Sequence, residues 1–137
     1  MIKLFTRTVI SLMFMSIGSV AVAQELTSKQ KVKNWEKNLQ VFVRCHTLLH
    51  EMYKINSSNS HKIHRFNQYI NINAKAYHSH SISMLSESGE WASAKIGLQI
   101  AQVRMDALKE SANGNRELLS KATYECSALY DRLEESR

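Results

Sequence analysis

The sequence predicts an all-α protein, an up-down-up-down antiparallel four-helix bundle. The 137-residue chain has no proline and only four glycines, so it lacks the turn residues that a sheet of short strands needs. Apolar residues recur at alternating steps of three and four, which is the period of an amphipathic helix. The breaks between these periodic segments are short, and short connections place consecutive helices side by side in opposite directions.

Residues 1–23 have the pattern of a signal peptide. Lys3 and Arg7 form a positively charged n-region, and an apolar run follows from Val9 to Val20. Ala21-Val22-Ala23 then offers the small residues that a signal peptidase accepts. The apolar run is shorter than the roughly 20 residues that span a bilayer, so we expect cleavage after Ala23 rather than an anchor. No second apolar run follows. We therefore expect a periplasmic protein with no transmembrane span in the mature chain.

The mature chain, residues 24–137, has the length of a single domain. Its first predicted helix covers about residues 28–55 and carries two adjacent apolar stripes, an arc wider than a surface helix needs. One stripe consists of Val32, Trp35, Leu39, Phe42, His46, Leu49 and Tyr53. The other consists of Val41, Cys45, Leu48, Met52 and Ile55. A polar run, Asn56–Ser60, ends this helix and offers N-cap residues to the next.

Three further helices are predicted over about residues 60–85, 90–112 and 116–135. The second has a core stripe of Ile63, Phe66, Ile70, Asn73, Tyr77, His80 and Met84. The third has Trp91, Ala94, Leu98, Ala101, Met105 and Leu108, widened by Ile96, Ile100 and Val103. The fourth has Leu119, Ala122, Cys126, Leu129 and Leu133. Gly89 and Gly114 lie at the intervening turns, and Met52, Met84 and Met105 are expected to fill gaps in the core.

Cys45 and Cys126 are the only cysteines, and export to an oxidising compartment predicts that they form a disulfide. In the predicted bundle Cys45 lies about 25 Å above the start of the first helix, and Cys126 lies at about 23 Å on the descending fourth helix. These heights agree within one helical turn. A catalytic Cys45–His46 pair is disfavoured because consecutive helical residues point about 100° apart.

All six histidines fall between His46 and His80, which raises the alternative of a divalent transition metal or haem. The candidate metal ligands are His46, His50, His61 and His64, spaced i, i+4 and i, i+3 as two imidazoles sharing an ion require. A zinc-protease motif is excluded because Thr47 stands where the motif has glutamate. Without a metal, we interpret His46 as a core histidine bonded to Asn73 or Tyr77, and His61, His64 and His78 as surface residues.

Charge is divided along the chain. The segment from Lys29 to Ile82 has nine Lys or Arg against two Glu. A basic surface is expected at the start of the first helix, formed by Lys29, Lys31, Lys33 and Lys37. Such a surface suits an anionic protein, a glycan or a membrane surface. Nucleic acid is not expected in an exported protein without aromatic residues between its basic ones.

The sequence lacks the pattern of a catalytic site, since it has no seam carboxylate pair, Ser–His signature or glycine-rich loop. We therefore expect a non-enzymatic, exported helical-bundle protein, without a cofactor, that acts by binding a partner. A protein partner is favoured, in the manner of periplasmic inhibitors, immunity proteins and accessory chaperones. Metal or haem binding by the histidines of the first hairpin is the alternative.

Overall fold

The computed structural model describes residues 20–54, 59–114 and 116–137, with side chains from residue 27 onward. Its helices are α1 (Val20–Tyr53), α2 (Ser60–Ser83), α3 (Gly89–Asn113) and α4 (Arg116–Glu135). No strand occurs within these ranges. The predicted all-α class and the helical bundle are therefore confirmed.

Helix α1 begins at Val20, eight residues before the predicted start. No glycine or proline lies between Val20 and Ser28, the predicted start, and the intervening Ala, Leu, Glu and Gln are strong helix formers. The proposed signal peptide falls mainly on residues 1–19, which lie outside the described residues.

The chain divides into two compact units, Met1–Asn34 and Trp35–Arg137. In the first unit the described backbone is helical, and Lys29, Lys31 and Lys33 are exposed. The second unit contains the rest of α1, the whole of α2 to α4 and the buried core. Every contact reported below lies within this second unit.

The core is organised around the middle of α1, which buries apolar residues from both of its predicted stripes. One cluster joins Cys45 and Leu49 to Phe66 of α2 and Cys126 of α4. A second cluster joins Leu48 to Ala107 of α3 and Ala122 of α4. Since α1 contributes to both clusters, it packs against all three other helices.

Cys45 and Cys126 form a disulfide with Cα atoms 5.4 Å apart. Both residues are almost completely buried, and the bond connects α1 to α4 in the centre of the first cluster. The predicted pairing is confirmed. The two cysteines are 81 residues apart in sequence, so the bond closes most of the bundle into one loop.

Polar residues on the core side of α2 have partners on α1. Asn73 Nδ2 donates to the carbonyl oxygen of Trp35 at 2.9 Å, and the Tyr77 hydroxyl donates to Glu36 Oε1 at 3.0 Å. The interpretation of His46 as a residue bonded to Asn73 or Tyr77 was therefore wrong. Those two side chains bond to Trp35 and Glu36, about three turns away from His46 along α1.

A polar network joins α2 to α4. Arg65 Nε donates to Glu134 Oε1 at 2.6 Å, and the Tyr69 hydroxyl donates to the same oxygen at 3.0 Å. The hydrogen bond from Arg65 lowers the pKa of the Glu134 carboxyl below its usual value, and Tyr69 acts in the same direction. This network closes the edge of the disulfide cluster at the end of α4.

Helix α3 faces the core with a different side from the predicted one. Its buried residues are Ala92, Ile96 and Ala107, and Ile100 and Val103 are half-buried beside them. The residues predicted as the core stripe, Trp91, Ala94, Leu98, Ala101, Met105 and Leu108, are all exposed. The main stripe was predicted wrongly because α3 is apolar on two sides, whereas the residues predicted to widen it, Ile96, Ile100 and Val103, do face the core. On this core side the small residue Ala107 packs against Leu48 of α1.

The exposed residues of α3 include one of the methionines expected to fill the core. Met105 is 52% exposed, and Met84, the residue after α2, is 58% exposed. The expectation that both methionines lie in the core was therefore wrong. Met84 is the C-cap residue of α2, so its side chain projects where the helix has already ended.

The two breaks use their turn residues differently from the sequence prediction. Before α3, Ser86 takes the positive φ of 54°, while Gly89 is already the first helical residue. After α3, Gly114 has φ of −75°. A Cβ at Gly114 would lie 2.7 Å from the carbonyl oxygen of Glu110. Close backbone approach, and not a left-handed conformation, therefore requires glycine at this position.

Candidate functional site

Three of the four predicted metal-ligand histidines line one open cavity between the end of α1 and the start of α2. His46 and His50 contribute from α1 and His64 from α2, and the volume is about 290 Å³. The cavity is completed by Tyr53, Ser60, Ile63 and Asn67. The i, i+4 spacing on α1 places both of its imidazoles on one side, with ring centroids 6.3 Å apart and planes inclined by 16°.

The electrostatics of the cavity favour a neutral His46. Burial lowers the pKa of its imidazole below the usual 6.5, and the positive charge of Arg104 and the nearby His50 lower it further. A neutral imidazole has one donor and one acceptor nitrogen. His46 can therefore hydrogen-bond or coordinate through a lone pair near neutral pH.

His61, the fourth predicted ligand, does not line this cavity. Its ring packs edge-on against Tyr130 of α4, with centroids 5.9 Å apart. His64 Nε2 lies 3.3 Å from Gln68 Nε2. Among the described residues, no group of three or more His, Cys, Asp or Glu side chains is arranged to hold a metal ion. The histidines share a cavity, but their present rotamers do not converge on one point.

A second candidate is the exposed apolar side of α3, which we call the outer stripe: Trp91, Ala94, Leu98, Ala101, Met105 and Leu108. At about 100° per residue, its mean direction is roughly opposite to that of the buried Ala92, Ile96 and Ala107. The large members are substantially exposed, with Leu98 at 69%. Sequence periodicity identified these residues and their common face, but assigned that face to the core.

A groove with a volume of about 630 Å³ lies between α2 and α3. Its wall contains His78, Ser93, Ile96 and Gly97. Ser93 Oγ lies 3.1 Å from His78 Nε2, an arrangement that sequence reasoning missed because the two residues are on different helices. The same nitrogen lies 3.2 Å from the carbonyl oxygen of Gly89.

The Ser93–His78 contact does not have the form of a nucleophile and its base. A carbonyl oxygen can only accept a hydrogen bond, so Nε2 donates to Gly89 and cannot at the same time take the serine proton. His78 thus connects the end of α2 to the first turn of α3. The sequence-based interpretation of His78 as a surface residue did not include these two contacts.

The predicted basic surface lies on the first half of α1. Lys29, Lys31 and Lys33 are exposed within the first unit, and Lys37 is exposed within the second. None of these lysines contributes to the histidine cavity or to the groove between α2 and α3.

The fold and these surfaces define a disulfide-bonded, all-helical bundle protein with a histidine-lined cavity and an exposed apolar helix face. Comparison with protein-family models, with curated proteins and with solved structures finds no match to the chain. In the part of the chain that the structure describes, no helix is long and apolar enough to cross a membrane.

Proposed function

We propose that the chain is an exported, periplasmic and non-enzymatic protein that acts by binding a protein partner through the outer stripe of α3. The observation that carries this proposal is the outer stripe, an apolar face of α3 that points away from the core, while the opposite side of α3 packs into the core. Exported inhibitors, immunity proteins and accessory chaperones provide the general class of role.

The spacing of the outer stripe favours a helical partner. Its members are separated by three, four, three, four and three residues, which is the a and d pattern of a coiled-coil seam. A contiguous exposed apolar surface rimmed by polar side chains is typical of protein interaction sites. Its aromatic, leucine and methionine side chains are also the types that supply contact energy in such interfaces.

The charges near the stripe favour a protein over an anionic polymer. The stripe is apolar along its length, and its charged neighbours include both signs: Glu90, Lys95, Arg104 and Lys109. Nucleic-acid sites instead concentrate Lys and Arg. The exposed lysines at the start of α1 remain the candidate contact for an anionic protein, a glycan or a membrane surface.

We also propose that the helices run up-down-up-down. Pairs between α1 and α2 support this order: Phe42 contacts Tyr69, and Trp35 contacts His80. As residue numbers fall along α1, they rise along α2, as in an antiparallel pair. The hairpin of α2 and α3 follows the same rule, because Ser81 bonds Lys95 while Asn71 and Ile100 line one groove.

The partner proposal is tested by affinity capture after expression of the tagged full chain in a bacterium. Wild type is compared with Leu98→Glu, which places a charge in the middle of the stripe. The matched control is Ile72→Glu, because Ile72 on α2 is 66% exposed and Leu98 is 69% exposed. We expect wild type and Ile72→Glu to retain the same protein and Leu98→Glu to lose it. Retention of the same partner protein in equal amounts by all three would contradict the proposal.

Export is tested separately by the intact mass of the same purified protein. We expect a mass that lacks residues 1–23, with Gln24 at the N-terminus, and recovery in the periplasmic fraction. A chain recovered in the cytoplasm with residues 1–23 attached would contradict the proposed localisation.

Metal binding in the histidine cavity is the second candidate function. The observation in its favour is that His46, His50 and His64 line one cavity, and neutral imidazoles are ligands for zinc, copper and nickel. Titration with each metal, followed by calorimetry, should give a saturable site that His50→Ala, His64→Ala removes. His61→Ala is the matched control because His61 packs on Tyr130 outside the cavity. An affinity unchanged in the double variant would contradict this candidate.

A further inference from the structure

The outer stripe of α3 alternates large and small side chains in a regular order. In coiled-coil notation, Trp91, Leu98 and Met105 occupy a positions, and Ala94, Ala101 and Leu108 occupy d positions. Large and small residues alternate through its centre, while the two ends carry the bulky Trp91 and Leu108. Between Ala94 and Met105, a partner helix must supply small residues opposite the large ones and large residues opposite the small ones.

We propose that the partner of this face is a second copy of the chain, with the two α3 helices packed antiparallel about a twofold axis. The inference rests on the proposed function, since it names the occupant of the same surface. In antiparallel pairs each a position faces a d position of the other helix. Leu98 of one copy then lies over Ala101 of the other, and Met105 lies over Ala94.

The same register matches the ends of the stripe. Trp91 of one copy faces Leu108 of the other, so the six layers are filled without a change of alignment. Every pair is repeated by the twofold operation, because the stripe is complementary to itself when read in reverse. An isologous interface requires this self-complementarity, whereas a contact evolved for a different protein does not.

A parallel pair fits the stripe less well. It would place Leu98 on Leu98 and Met105 on Met105, and these large pairs would hold the two helices apart. The layers in which Ala94 faces Ala94 and Ala101 faces Ala101 would then contain voids. A parallel pair would also place like charges level with each other. Glu90 and Lys95 flank the first half of the stripe, and Arg104 and Lys109 flank the second half. Antiparallel packing separates Arg104 and Lys109 of one copy from the same residues of the other copy along the helix axis.

The surroundings of the stripe leave room for this contact. The stripe is about 25 Å long and roughly opposite to the core-facing side of α3, so within the described residues of the second unit a second α3 can approach without displacing the core contacts of α1. One helix from each copy gives a small interface. We therefore expect dissociation in the micromolar range and not in the nanomolar range.

Sedimentation velocity of the purified protein over a wide concentration range measures the association. We expect wild type and Ile72→Glu to convert from monomer to dimer as concentration rises. Leu98→Glu should raise the dissociation constant at least about 100-fold, because the dimer would bury an unpaired carboxylate. Far-ultraviolet circular dichroism checks that each variant is folded. A folded wild type that stays monomeric at millimolar concentration overturns the proposal, as does a Leu98→Glu dimer of unchanged affinity.

The orientation of the pair is tested by spin labels on Lys109→Cys and, separately, on Gln102→Cys. Both positions are exposed, and the native cysteines are bonded to each other. In the antiparallel register the two labels at 109 are separated along the axis by about 28 Å, and those at 102 by about 8 Å. Equal short distances at both positions would indicate parallel packing and overturn the proposed register.

The outcomes separate the two proposals. A monomeric purified protein whose periplasmic capture of another protein still depends on Leu98 overturns self-association and leaves the proposed function standing. A monomer with no Leu98-dependent capture overturns both. A Leu98-dependent antiparallel dimer supports both and identifies the partner as the chain itself.

Discussion

Helices α1 and α3 share a sequence feature that the bundle treats differently. Each has more apolar positions than one helix face can hold. The core covers both stripes of α1, since Leu49 and Leu48 from neighbouring stripes are fully buried. It covers only one side of α3, where Ala92 and Ile96 are buried and Leu98 is exposed.

The difference follows from the number of neighbours. Contacts of α1 extend to every other helix, as Phe42 meets Phe66, Arg44 bonds Glu110, and Cys45 is bonded to Cys126. Among the residues that the structure describes, none provides such cover for the outer stripe of α3. A wide apolar arc therefore indicates several neighbours, and in the described part of the chain only one side of α3 has them.

Removal of the disulfide is the largest expected perturbation, because it frees α1 from α4. The bond spans 81 residues, so the double variant Cys45→Ala, Cys126→Ala should lose about 4 to 5 kcal/mol of unfolding free energy in the chain-entropy model. Urea unfolding of this variant and of reduced wild type measures the loss. Equal midpoints for oxidised and reduced wild type would show that the bond does not stabilise the bundle.

Leucine truncation compares the two helices directly. Leu49→Ala in α1 removes a fully buried side chain and should cost about 2 to 5 kcal/mol. Leu98→Ala in α3 should change the unfolding free energy of the monomer by less than about 0.5 kcal/mol. Both are measured by urea unfolding at low protein concentration. If Leu98→Ala lost as much unfolding free energy as Leu49→Ala, the assignment of Leu98 to the exposed side of α3 would be incorrect.

Alanine enlargement tests the two sides of α3 only two residues apart. Ala92 is completely buried, so Ala92→Leu should overpack the core and cost about 1 to 3 kcal/mol. Ala94 is exposed, and Ala94→Leu should leave the monomer within about 0.5 kcal/mol of wild type. Thermal unfolding of dilute samples distinguishes them. If Ala94→Leu were less stable than Ala92→Leu, the assignment of the buried and exposed sides of α3 would be contradicted.

The smallest expected effect concerns pH and the end of α1. The pKa of His46 is lowered in the folded protein by burial, by Arg104 and by His50, so the unfolded chain binds the proton more readily. The stability contributed by neutral His46 is fully present above pH 6.5 and falls as pH decreases through that value. His46→Gln should reduce the loss of stability between pH 7.5 and 5.5. An identical pH dependence in the variant would assign the loss to other groups.

The sequence predicted much of this fold because its local signals agree. The turn-poor composition, the helical period and the Cys45–Cys126 heights all point to the same bundle. Periodicity could not choose between the two apolar sides of α3, because the choice depends on packing against other helices, such as that of Ala107 against Leu48 of α1. Spacing along α1 correctly placed His46 and His50 on one side of that helix. It could not show that His61 packs on Tyr130, outside the histidine-lined cavity, because that position depends on tertiary packing.

The central claim is that the outer stripe is exposed in one copy and covered when two copies associate. Peroxide oxidation of Met105, followed by peptide mass spectrometry, tests it directly, with Met84 as the matched control because both side chains are more than half exposed. We expect both methionines to oxidise rapidly in dilute protein, and Met105 alone to become protected as concentration rises. Equal oxidation of the two at every concentration, or a Met105 already protected in dilute protein, would contradict the account.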